Sequence, residues 1–251
     1  PPRSTLFPYT TLFRSHLMKP EERNNAKIEL TDLWLDIGAR DRAAAEKRVA
    51  VGDPITYRLG VQMLGDDLIT SPGLDDKVGA FIVMEALRLI KAGKPQCAVH
   101  AVSTVQEELG LRGARTACYG IDPHVGIAVD VTHATDYPGG DKKIMGDIAL
   151  GRGPVVEIGP NINPVVSDLM FDVAKKKRIA VQRAGAPRAT GTDANAIQVS
   201  RAGVAAGLVS VPNRYMHTPV EVSSLTDLEN AARLIAEFCL AVTAKTDFIP
   251  R

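Results

Sequence analysis

The 251-residue chain is 45% hydrophobic, 24% charged and 5% aromatic with 21 Gly and 16 Pro, a composition that excludes bulk disorder, collagen and low-complexity sequence and leaves a globular core. Lys and Arg number 30 against 29 Asp and Glu; without Arg3 and Arg14 of the first 15 residues the balance is 28 to 29, so no global basic field exists to recruit nucleic acid or anionic lipid. The three cysteines are too few for a disulfide framework or a four-cysteine zinc site, and no apolar stretch nears the roughly 20 residues of a membrane-spanning helix, so a reducing, cytoplasmic setting is expected.

Residues 1–15 (PPRSTLFPYTTLFRS) match neither the composition nor the rhythm of the rest of the chain and have no small-residue cleavage site. They read as translated adapter or cloning sequence, so native sequence is expected from about His16. Residues 16–64 show short β-like pieces at 28–30, 33–37 and 55–59 around an Ala-rich helix at 43–47, as part of a small β-rich module. After a turn at Gly65-Asp66-Asp67 the texture changes to strands alternating with helices.

A long helix is predicted over 77–92, with Val78, Phe81, Ile82, Ala86, Leu89 and Ile90 on its apolar face and Gly93 and Pro95 as stop signals. Residues 97–105 are apolar and β-branched, as in a buried strand. A helix at 111–119, strands at 125–131 and 155–158, a helix at 165–177 and a strand at 179–182 come next in the chain. Residues 194–200 read as helix and 204–211 as buried strand. The last helix is opened by Ser224 with Asp227 three positions on, and its stripe is Leu228, Ala231, Ala232, Ile235, Phe238, Cys239 and Val242. This alternation predicts a layered α/β domain over 65–251 with helices on both faces of a sheet.

In open α/β sheets chemistry gathers where strands end. Asp75-Asp76 precedes the long helix: an Asp there caps helix N–H groups, or one carboxylate bridges two cations, and two consecutive acids permit both roles. Glu107-Glu108 follows the 97–105 segment; the pair is either solvated loop carboxylates or a metal ligand beside a base. Asp130 sits at the end of an apolar strand, where an ionised carboxylate is costly unless paired. His217 follows the 204–211 strand. Thr132 and His133 are candidate outer partners, and the loops Thr190-Gly191-Thr192-Asp193 and 135–141 are candidates to line a cleft. The run Lys175-Lys176-Lys177-Arg178 closes a helix and reads as solvated surface.

Taken in order, Leu74-Asp75-Asp76-Lys77, Gln106-Glu107-Glu108-Leu109-Gly110, Asp130-Val131-Thr132, Gly191-Thr192-Asp193-Ala194 and Arg214-Tyr215-Met216-His217-Thr218-Pro219 resemble the tetrahedral (TET), or glutamyl, aminopeptidase family of cytosolic dinuclear metallopeptidases. The resemblance implies a three-layer α/β/α sandwich with a mixed sheet, with residues 16–64 as part of an inserted PDZ-like β-rich module. It implies two divalent metal ions (Zn, Co or Mn) bridged by Asp75, with a cis bond to Asp76. Glu108 and His217 would ligate one metal and Asp130 the other, with Glu107 as general base. It also implies a peptide substrate and assembly into homo-oligomers, dodecamers in full-length relatives.

The resemblance further implies a ligating histidine in a His-x-Asp motif upstream of the inserted module, and no His-x-Asp occurs in this sequence. The gap falls where residues 1–15 stand, so the expectation is an N-terminally truncated chain with an incomplete metal site. Two alternatives stay open: a dinuclear-metal amidohydrolase acting on acylated small molecules, and a catalytically inactive scaffold fragment. A glycosidase acid pair at Glu107 and Glu108 is disfavoured, since carboxyls flanking a sugar bond stand roughly 5 to 9.5 Å apart.

Overall fold

A computed structural model describes residues 35–56 and 58–250 and divides the chain into two compact units, Pro1–Gly60 and Val61–Arg251. In the first unit, helix α1 (Arg42–Glu46) starts where the Asp41 side chain accepts from the Ala44 N–H at 2.8 Å, an N-cap that satisfies one of the orphan donors of a first turn. The expected strands at 28–30 and the start of 33–37 lie outside the described residues; the described residues of 55–59 form no strand.

The second unit opens with strands β1 (Gln62–Leu64) and β2 (Leu68–Ser71), an antiparallel hairpin around the predicted turn, with Gly65 in the left-handed region. Next come α2 (Leu74–Ala92), α3 (Arg112–Ile121), β3 (Val125–His133), the single turn α4 (Lys142–Met145), β4 (Val155–Ile158), α5 (Pro164–Lys177), β5 (Gln182–Gly185), α6 (Ala194–Gln198), β6 (Ala205–Asn213), β7 (Glu221–Ser224) and α7 (Leu225–Ala241). β1, β2 and β7 form one antiparallel sheet. The main sheet runs β3-β6-β4-β5; β3/β6 and β4/β5 are parallel and β4/β6 antiparallel, so the sheet is mixed.

Strand alternation sorts the core into two layers. Val131, Val209 and Val211 pack with Val78, Ile82 and Ala86 of α2, Val166 and Met170 of α5, and Leu228, Ala231 and Phe238 of α7. On the opposite face Ala128, Ala206 and Leu208 pack with Cys118 of α3 and Ala194 and Ile197 of α6. Helices therefore cover both faces, giving the three-layer α/β/α sandwich. Gly207 lets α5 approach the sheet: a Cβ there would stand 2.6 Å from Val166 Cγ1.

α7 begins as predicted, with Ser224 Oγ accepting from the Asp227 N–H at 3.2 Å. The Asp227 carboxylate is fully buried and accepts from Gly151 N at 2.7 Å and Gly153 N at 2.6 Å, tying the loop before β4 to the first turn of α7. Asp67, in the β1–β2 turn, accepts from the Ser224 and Thr226 hydroxyls and the Thr226 N–H, so hairpin and helix start are locked together.

Three further predicted elements differ. Phe81 does not join the α2 core face but is 54% exposed; the face is Leu74, Val78, Ile82, Ala86 and Ile90. Residues 97–105 form no strand, because a strand exists only through its ladder and no described strand pairs with them; Val102 and Val105 are 37% and 67% exposed. The 179–182 strand is realised three residues later, at Gln182–Gly185, where the backbone runs alongside β4.

Candidate metal centre

Leu74, Asp75 and Asp76 precede the regular turns of α2: Asp75 (φ −76°, ψ 109°) and Asp76 (φ −119°, ψ 52°) are not helical, and the peptide bond between them is cis. Regular helix begins at Lys77, as the apolar periodicity predicts. The structure gives the two acids different surroundings. Asp76 Oδ1 accepts from the Gly79 N–H at 2.9 Å and does the capping. Asp75 is left to present its carboxylate elsewhere, and Oδ2 lies 3.1 Å from His217 Nε2.

Glu107 and Glu108 sit in a tight turn between Gln106 (φ 58°) and Gly110 (φ 107°). The Glu107 carbonyl accepts from Gly110 N and Leu111 N, both at 2.9 Å, and Gly113 N bonds the Val105 carbonyl, also at 2.9 Å. The turn aims Glu108 at the same imidazole, Oε1 to Nε2 3.6 Å. One ligand atom each from Asp75, Glu108 and His217 lies within 4.8 Å of the other two. Two carboxylates and one imidazole at that separation are a donor set that fits a divalent cation of the Zn, Co or Mn kind, after a small contraction of the farthest pair.

Asp130, in β3, stands outside that trio, with Oδ1 accepting from the Val131 N–H at 2.7 Å. It belongs to the same electrostatic neighbourhood. Burial pushes its carboxyl up to about 7 against the pull of the Val131 N–H, and the charges of Asp75, Glu107 and Asp193 add to the rise. Glu107 is likewise pushed up to about 7, first by burial and then by Asp193, Glu108 and Asp75, with His217 opposing. Asp76 is pushed up to about 9 by burial and by Asp130, against its bond from Gly79. So many carboxylates sharing one partly dry space is the electrostatic counterpart of the donor geometry.

The loops around the centre are held by contacts that local sequence pattern does not assign. Asp193 Oδ2 accepts from Thr104 Oγ1 at 2.7 Å, which ties the Thr190–Asp193 loop to the chain entering the Glu107 turn, and Asp193 Oδ1 is buried without a partner. Arg214 makes a two-pronged pair with Asp136, 2.8 Å and 2.7 Å, and Tyr137 packs edge-on against Tyr215 at 5.1 Å, so the 135–141 loop braces the strand end that leads to His217. Glu221, buried, accepts from the backbone N–H groups of both Asp75 and His217. The signal for Glu221 is present as an acid four residues after His217, but only the fold makes that spacing meaningful. Thr132 and His133 make no side-chain hydrogen bond to Asp130 among the described residues.

The family model for M42 glutamyl aminopeptidases matches residues 9–234. The chain belongs to the M42 glutamyl aminopeptidase family. It is 39% identical over 236 residues to the lysyl aminopeptidase of Pyrococcus furiosus, a match covering 94% of this chain and 66% of that protein. Among solved structures, an aminopeptidase from the archaeon Desulfurococcus kamchatkensis matches at TM-score 0.82 and 40% identity, over 90% of this chain and 64% of that one. The Pyrococcus horikoshii TET1 peptidase, described as assembling into a tetrahedron or a large octahedral shell, matches at TM-score 0.69 and 26% identity, over 89% of this chain and 65% of that one. The chain thus spans just under two thirds of the length of these M42 relatives. No helix among the described residues is long and apolar enough to cross a membrane.

Proposed function

We propose that the protein to which this chain belongs is a metal-dependent aminopeptidase that removes N-terminal residues from peptides, with Asp75, Glu108 and His217 holding one divalent cation. The observation that carries the reading is the convergence of those three donors within 4.8 Å, beside a carboxylate, Glu107, whose environment raises it to about 7. Asp75 and Asp130 would hold a second cation, whose remaining imidazole ligand the family resemblance assigns to a His-x-Asp motif that does not occur in this sequence. Zn, Co and Mn all suit carboxylate and imidazole donors.

When bound, the cations supply Lewis acidity to the scissile carbonyl and acidity to the attacking water. Glu107 takes the proton of that water and returns it to the leaving amine, a role for which an elevated carboxyl near working pH is suited. The remaining carboxylates favour a substrate whose free N-terminus carries positive charge. Three free cysteines, Cys97, Cys118 and Cys239, support a cytoplasmic setting, and the assembly described for the TET1 neighbour supports a homo-oligomer.

The test is a Glu107→Gln variant of the whole protein assayed on aminoacyl arylamides and N-acyl amino acids. The expected result is that the parent cleaves only aminoacyl substrates, and that the variant keeps its metals and loses about 10²–10⁴-fold in turnover. Cleavage of N-acyl substrates would move the assignment to the amidohydrolase alternative. Undiminished turnover in the variant would remove Glu107 from the base role.

A further inference from the structure

Glu221 is 2% exposed, and among the described residues no cation pairs with it. A carboxylate this deeply buried is costly unless its oxygens are satisfied. Both are, by backbone amides of the centre: Oε2 accepts from Asp75 N and Oε1 from His217 N, each at 3.0 Å. Asp75 N belongs to the irregular entry of α2, where helix geometry offers it no carbonyl, and His217 N lies in a loop whose residue has φ +62°. One planar group therefore spans two chain segments, the first of them 146 residues away from Glu221.

From this geometry we infer that Glu221 is a positioning residue for the metal centre: its two oxygens fix the backbone separation of Asp75 and His217, and so the distance between their ligand atoms. The inference rests on the proposed role of those two residues as ligands. The pairing of β7 with β2 already holds the strands through the register Ser71 to Glu221, so the side chain is not needed for the ladder. His217 itself has a side chain 66% exposed, with little packing to orient it. Backbone restraint is what remains to keep its Nε2 at 3.1 Å from Asp75, and outer partners that orient ligands matter for that reason.

The experiment titrates the 251-residue chain with Co²⁺ by visible absorption, comparing wild type, Glu221→Gln, Glu221→Asp and a control in the same strand, Ser223→Ala. Glutamine keeps the shape but turns an amino group toward one of two N–H donors, and aspartate is too short to reach both. The expected result is an affinity loss of about 10–100-fold with an altered cobalt spectrum for both Glu221 variants, and little change for Ser223→Ala. Circular dichroism and melting of the metal-free proteins establish that the variants fold. Amide exchange of metal-free wild type, which needs no variant, should show Asp75 and His217 N–H protected. Unprotected amides, or Glu221 variants that bind cobalt as wild type does, or an equal loss in Ser223→Ala, would overturn the positioning role while leaving the ligands in place. A wild-type chain that takes up no cobalt would instead overturn the proposed centre and this inference with it.

Discussion

Gly79→Ala pits two physical effects against each other. Alanine is about 1 kcal/mol better than glycine in a helix interior, so propensity alone says the substitution stabilises. The structure says otherwise, because the Asp76 carboxylate occupies the space a side chain would need: a Cβ at position 79 would stand 2.6 Å from Oδ1 and 2.7 Å from Cγ, and closer still to Oδ2. Asp76 must move, which forfeits a capping bond of about 1 kcal/mol and strains a packed corner by about 1–3 kcal/mol. The net expectation is a loss of about 1–3 kcal/mol, with cobalt affinity reduced because Asp75 is displaced along with its neighbour. Urea denaturation in chelator measures the first effect and cobalt titration the second. The mechanism is checked in the Asp76→Ala background, where the obstructing carboxylate is gone and Gly79→Ala should become neutral or stabilising. An equal loss in both backgrounds would refute the steric argument, and a simple gain in the wild-type background would show that propensity outweighs it.

His217→Ala and Glu108→Gln should each weaken cobalt binding by more than the roughly 10–100-fold expected of a lost outer partner, while the metal-free melting temperature changes little because both side chains are exposed. Affinity for the second cation, the one assigned to Asp130, should rise with pH up to about 7, near tenfold per unit if one proton is displaced, and then level off, because Asp130 holds its proton to about 7; calorimetry in buffers of different ionisation enthalpy reads the released proton. Asp76 is raised from 3.8 to about 9, so the folded metal-free protein keeps a proton that the unfolded chain has lost; stability from this group is full below about pH 4 and falls as pH rises toward 9. Asp76→Asn, which can still accept from Gly79, should therefore gain more melting temperature at about pH 8 than at about pH 5 relative to wild type. Asp136→Ala should cost about 1.5–3 kcal/mol in urea by leaving the half-buried Arg214 unpaired, and should loosen the chain leading to His217, read as faster amide exchange there.

Much of this is legible in order along the chain. Helix periodicity locates α2 and α7, the Ser224 cap is readable from Asp227 three residues on, and Asp75, Glu107, Glu108, Asp130 and His217 stand out as acids and a histidine at the strand-end and loop positions where an open sheet gathers chemistry. Local chemistry suffices for these, since a helix face and a cap are decided by residues three and four apart. The strand expected at residues 97–105 shows the limit of local pattern: β-branched composition states a preference, but a ladder needs a partner, and whether one lies alongside is not written in the segment.

The amino-acid sequence alone determined which residue types were available for metal chemistry and which stretches would be helical, because both depend on side chains and near neighbours. Only the tertiary structure decided that Asp76 caps while Asp75 faces His217, and that Asp130 stands outside the trio of Asp75, Glu108 and His217. It alone brought Glu221 into hydrogen-bond reach of Asp75, across 146 residues. Those outcomes depend on distances between elements, and such distances are fixed by how the layers pack.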